Sequence, residues 1–248
     1  MAAPHLKDHI SDQFNKELND LRSKVLTMGG LVEDHLIKAL DALSKSDPER
    51  AEYVATNDYK VNALEVQIDE ECTAVLLRRQ PAAVDLRLVL AVSKTITDLE
   101  RIGDEVEKVG RIALNLTTQE GPKSYYVGII SLGHHVRRLL HDVLDAFARL
   151  DSDVAFELAK QDSAIDKEHD MIMGQLVQYM SENSNSISRV LDAVMAVRAF
   201  ERIGDHSINI CEHLIYLVDG KDVRHTNLED IEEELRLARE ARGEEPPE

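Results

Sequence analysis

The sequence lacks tryptophan, carries only two cysteines and six prolines, and draws just 4% of its 248 residues from the aromatics. Alanine, leucine, valine, glutamate, aspartate and arginine dominate instead, a helical composition. The two cysteines, Cys72 and Cys211, belong to no C-x-x-C pair and stand near no metal-spaced histidines, which excludes a disulfide framework and a thiolate zinc site. No apolar run approaches bilayer length, and no apolar leader opens the chain. The expectation is a protein without direct membrane insertion, cytoplasmic, with two inert thiols. Positive charge is also short. A formal net charge of −18 and a pI of about 4.9, with no long Lys/Arg run, exclude nucleic-acid backbones as partners. Catalytic signatures are missing as well: there is no G-x-S-x-G, no Walker A loop and no G-x-G-x-x-G. Nothing nominates a nucleophile or a cofactor-binding loop, so no catalytic residue is assigned and the chain reads as a non-enzyme.

What the sequence does have is apolar residues in steps of three and four. Six long stretches show this helix period, at about 6–43, 48–79, 83–116, 124–150, from an Asp151 cap to about 180, and from about 188 to 218. Asp47-Pro48 reads as an N-cap followed by proline at the first helical position, and Gly220 as a helix stop. Pro81 and Gly121-Pro122 are breaks. No stretch has the alternation of a strand. The expected fold is all-α, with two tandem antiparallel three-helix bundles over residues 1–120 and 121–220. An acidic tail follows over 221–248, with a short amphipathic helix at 227–242.

The pentapeptide Glu-Arg-Ile-Gly-Asp occurs twice, at Glu100–Asp104 and Glu201–Asp205. Two identical copies on helical stretches mark an internal duplication. On a helix Glu100 and Asp104 share a face, as do Glu201 and Asp205, while Ile102 and Ile203 point to the seam. Like charges four apart weaken a bare helix by a few tenths of a kcal/mol, and a shared cation would offset that. Gly103 and Gly204 each cost roughly 1 kcal/mol in a helix interior, which points to close approach by another helix or a bound group. The second stretch of each half supplies a partner pair, Asp58 with Asn62 and Asp162 with Asp166. Each bundle thus offers oxygen ligands from two helices, a set suited to hard or borderline cations: iron, manganese, magnesium, zinc or calcium. A lone E-x-x-x-D is most often a solvated helix face; the duplication and the partner pairs set these apart. His206 beside Asp205 offers a nitrogen, though a lone surface or capping histidine is the commoner case. His5, His9, His134 and His135 read as surface, and Arg87, Lys94 and Arg101 as salt-bridge partners. Read without any resemblance, the residues leave open a binding bundle, a carboxylate-bridged metalloenzyme and a metal-storage scaffold. The Glu-x-x-His ligand pairs of bundle di-iron enzymes are absent at both Glu100 and Glu201.

Several longer stretches carry a family resemblance. They are Met28-Gly29-Gly30-Leu31-Val32-Glu33, Gln80-Pro81 before Asp85-Leu86-Arg87, Leu99 to Asp104, Phe200 to Asp205, Asn209-Ile210-Cys211-Glu212, and Leu140 to Arg149. Along nearly the whole chain the sequence resembles the PhoU family of bacterial phosphate-signalling regulators, in its enterobacterial form. The resemblance implies two symmetric three-helix bundles, a homodimer, and in some members multinuclear iron or other cations on paired acidic motifs. It implies partners too: the ATPase subunit of the phosphate-specific ABC transporter and the membrane sensor histidine kinase. Such a protein restrains phosphate uptake and keeps the starvation response off when phosphate is plentiful. Carried over by position, the second site is Asp162, Asp166, Glu201 and Asp205, and the first is Asp58, Asn62, Glu100 and Asp104. Asn62 departs from the acidic pattern, and Lys108 stands where the second copy has Asn209. Both departures predict tighter metal binding in the second bundle.

Overall fold

A computed structural model describes residues 12–117, 126–183 and 186–224. The Gly121-Pro122 break and the stretch 227–242 lie outside the described residues. The described residues form eight helices and no strand. They are α1 (Asp12–Lys45), α2 (Pro48–Asn57), α3 (Tyr59–Arg79), α4 (Ala83–Thr117), α5 (Tyr126–Arg149), α6 (Ser152–Ala159), α7 (Asp162–Glu182) and α8 (Ile187–Asp219). α2 with α3, and α6 with α7, are each one expected rod with an interruption, so the six-rod plan stands.

Local chemistry sets the ends. Asp47 and Asp151 occupy extended backbone and accept from the N–H groups of Arg50 and Val154, each at 3.1 Å. That is N-cap geometry, worth about 1 kcal/mol each. Gly220 ends α8 in the left-handed region with φ 76°, donating its N–H to the Tyr216 carbonyl at 3.0 Å. The interruption after α2 has a different origin, for no proline or glycine is there. The Thr56 hydroxyl donates to the Glu52 carbonyl at 2.8 Å and the Asn57 amide to that of Tyr53 at 2.8 Å. Side chains thus engage carbonyls of the last helical turn. Asp58 stays right-handed, and the Val61 N–H returns to its carbonyl at 2.8 Å, so the chain tightens without turning away.

α1 to α4 make the first bundle and α5 to α8 the second. The most extensive helix–helix contact joins the two halves, α4 against α8, with α1 against α5 beside it. One continuous core results, running through Leu99, Ile102 and Val106 of α4 and Phe200, Ile203 and Ile210 of α8. A polar cluster crosses this seam. Asp98 of α4 is buried, with His206 Nδ1 and His213 Nε2 each 2.8 Å from its oxygens and Asn209 Nδ2 donating at 3.0 Å. On the same seam Glu105 is buried against Lys108 at 2.8 Å and Arg202 at 3.1 Å. Both cysteines are buried and free, and burial pushes the Cys72 thiol up to about 12. No described helix is long and apolar enough to cross a membrane.

Candidate functional site

Helix register brings the duplicated carboxylates to the α3–α4 and α7–α8 grooves. In the first bundle Asp58, Asp104 and Glu107 converge, each offering an oxygen within 4.8 Å of the others. In the second, Asp162, Asp166 and Asp205 converge within the same 4.8 Å. Of the eight expected ligand residues, five fall in these two groups. Asn62, Glu100 and Glu201 stand beside them. The Asn62 amide favours the charged form of Asp58, Glu100 adds repulsion there, and Glu201 repels both Asp162 and Asp205. Glu107 was missed by sequence reasoning. It lies outside the pentapeptide, and its counterpart one duplication later is Ile208, so no repeat marked it.

The electrostatics fit a cation. Burial, then repulsion by Asp104 and Glu107, pushes the Asp58 carboxyl up to about 6. Burial, then Glu201, Asp162 and Asp166, pushes Asp205 up to about 6, although one side of it faces solvent. Asp162 is raised by burial, Asp166 and Glu201; Glu100 is raised by burial and Asp104. Carboxylates crowded in this way are the donor set of hard cations. One atom points the same way independently. Asp58 is 95% buried, and its Oδ1 has no hydrogen-bond partner. A buried carboxylate oxygen without a partner is costly unless a proton or a metal meets it.

Both motif glycines permit close approach. A Cβ at Gly103 would lie 2.7 Å from Asp58 Oδ1 and 3.2 Å from Val61, and one at Gly204 would lie 3.2 Å from Ile165. The expectation of a close approach therefore holds in both copies, with a helix as the neighbour and, in the first, a carboxylate as well.

The other singled-out residues fall elsewhere. His206 bonds Asp98 across the seam, and Arg202 reaches Glu105. Lys108 is also held by Glu105. Arg101 of the expected basic ladder stands 3.5 Å from Glu100, a salt bridge within α4. Lys94 sits 5.4 Å from the centre of the Tyr216 ring instead, and Arg87 packs against Gly220 at the end of α8. His135 lies 3.0 Å from Glu168, while His5 and His9 lie outside the described residues.

Known proteins share this architecture and sequence. The PhoU domain family matches the chain twice, at residues 25–113 and 129–214, once in each bundle. The phosphate-specific transport system accessory protein PhoU homolog of Pseudomonas aeruginosa is 48% identical over 93% of this chain and 95% of its own length. The Escherichia coli accessory protein PhoU is 45% identical over 95% of this chain and 97% of its own length. The crystal structure of PhoU from Pseudomonas aeruginosa superposes with a TM-score of 0.82 at 47% identity, covering 84% of this chain and all of that one. A phosphate transport system regulatory protein PhoU from Streptococcus pneumoniae gives a TM-score of 0.78 at 29% identity over 85% of this chain and 99% of that one. With two matched domains and full-length relatives of this identity, the chain belongs to the PhoU family.

Proposed function

We propose that the protein regulates phosphate transport and phosphate-starvation signalling, acting as a non-enzymatic adaptor. The observation that carries this reading is end-to-end similarity to proteins named as accessories of the phosphate-specific transport system, with no partial or domain-only match among the bacterial relatives quoted above. The adaptor contacts the transporter's ATPase subunit and the sensor histidine kinase, works as a homodimer in the cytoplasm, and restrains the kinase and phosphate uptake when phosphate is plentiful. Long helical faces suit docking to proteins.

The acidic clusters serve this role by holding cations. The first uses Asp58, Asp104 and Glu107, with Asn62 and Glu100 beside them; the second uses Asp162, Asp166 and Asp205 with Glu201. A bound cation neutralises the mutual repulsion and ties α3 to α4, or α7 to α8. The chain's own residues set the geometry: Gly103 admits Asp58, and Glu105 draws Lys108 away. The test of the regulatory reading is genetic. Deleting the protein in its host, at high phosphate, is expected to switch a phosphate-starvation reporter on, and plasmid-borne wild type to silence it. A reporter that stays silent in the deletion strain contradicts the proposal.

A further inference from the structure

We propose that the duplicated acidic clusters are unequal cation sites, and that the first bundle's, with Glu107 as a ligand peculiar to it, is the enclosed and tighter one. This rests on the cation-binding reading above and reverses the order expected from Asn62 and Lys108. Three observations carry it. The first is enclosure. Asp58 is buried and Asp104 and Glu107 are half-buried, whereas Asp162, Asp166 and Asp205 are all exposed. A cation held by partly buried carboxylates is shielded less by water than one on an open surface, so the attraction is larger.

The second observation is the packing that separates the copies. Over Gly103 the neighbours are Val61 and the unpartnered Asp58 Oδ1; over Gly204 the neighbours are Ile165 and a valine methyl of α5, Val136. Val61 and Ile165 are equivalent in the two halves. Isoleucine is one methylene larger, and it fills the space that in the first bundle admits the carboxylate. The pentapeptide is the same, but its glycine receives a carboxylate oxygen in one copy and a hydrocarbon in the other.

The third is charge. The residues that argued against the first site do not act against it. Lys108 is paired with Glu105, which is buried and also holds Arg202. Asn62, where the second copy has Asp166, is replaced as a donor by Glu107 from the facing helix. Glu107 is itself held by Arg111, whose Nε donates to it at 3.0 Å. That contact fixes the carboxylate's position and sets the competitor a cation has to share it with. The class of ligand is a hard divalent ion, Mn²⁺ or Mg²⁺, bound by three carboxylates with water completing the shell.

Calorimetric titration of the full chain with Mn²⁺ tests this, with thermal unfolding alongside. Wild type is expected to show two classes of site. Glu107→Gln is expected to weaken the tighter class by on the order of ten-fold while leaving the weaker one. Asp205→Asn is expected to do the converse. Glu107→Ile, which copies the residue at 208, is the second variant. A few equivalents of Mn²⁺ are expected to raise the melting temperature of wild type and Asp205→Asn more than that of the Glu107 variants. Loss of the tighter class in Asp205→Asn, or its survival in both Glu107 variants, overturns this inference and leaves cation binding standing. No Mn²⁺ heat and no melting shift in wild type overturns both this inference and the cation reading.

Discussion

Asp98 is the residue on which the contact between the two halves turns. Burial alone would raise its carboxyl, but hydrogen bonds from His206, His213 and Asn209 outweigh that and hold it down at about 2. A carboxyl whose pKa falls from 3.8 on folding contributes stability that is present above pH 4 and lost as pH drops through about 2. The shift is worth about 2 kcal/mol at neutral pH. Asp98→Asn is therefore expected to lower the urea-unfolding free energy at pH 7 by about 2 kcal/mol or more. It is also expected to lose less stability than wild type between pH 4 and pH 2. Equal acid sensitivity of the two proteins would contradict this role. None of it was legible in the sequence. Asp98 and its partners are more than a hundred positions apart, and neither the pentapeptide nor the helix period marks a residue buried only when α4 meets α8. The candidate clusters are legible in part. Asp58 with Asp162 and Asp104 with Asp205 stand out because duplication repeats them, and Asp166 because it lies four residues from Asp162; Glu107 does not, because it has no copy.

At the scale of the helix, glycine has two opposite uses. Gly29 in α1 is pressed against Leu144 of α5, where an added Cβ would stand 3.1 Å or less from two of its atoms, and Gly103 faces Asp58. Gly30 and Gly174 meet nothing within 4 Å. At these two open positions alanine adds helix propensity without a clash. Gly30→Ala and Gly174→Ala are each expected to stabilise the chain by about 0.5–1 kcal/mol in chemical unfolding. Destabilisation by either would show that an unseen contact covers it. The helices themselves were largely legible. Apolar period, the Asp47 and Asp151 caps and Gly220 locate the ends within a few residues, since these are local signals. The interruption at 58 was not, because Thr56 and Asn57 act through bonds to carbonyls in an otherwise regular apolar pattern; nor was that at 160–161, where no proline or glycine stands. The first interruption falls at a proposed ligand. Asp58 sits between α2 and α3, where the tightened turn delivers its side chain to α4.

At the scale of the molecule, the duplication produces two bundles that share one core and differ in their polar contacts. The α4–α8 seam carries Asp98 with two histidines at one place and Glu105 with two cations at another. A change at either acidic cluster is thus next in sequence to a buried inter-bundle contact: Glu100 lies two residues from Asp98, and Asp205 is joined to His206. Occupancy of the proposed cation sites and the relative setting of the bundles have a short physical connection through α4 and α8. Such a connection suits the proposed adaptor, with one surface for a transporter and another for a kinase. The all-α, two-bundle plan followed from periodicity and repeat alone, whereas the proposed partners rest on resemblance to the PhoU family, since no helical face announces what it binds.

Affinity capture of the tagged, full-length protein from detergent-solubilised host membranes, at high and low phosphate, tests the proposed phosphate-dependent link between transporter and kinase. Recovery of the phosphate transporter's ATPase subunit and of the sensor kinase is expected, with kinase recovery greater at high phosphate. Recovery of neither protein under either condition would contradict it.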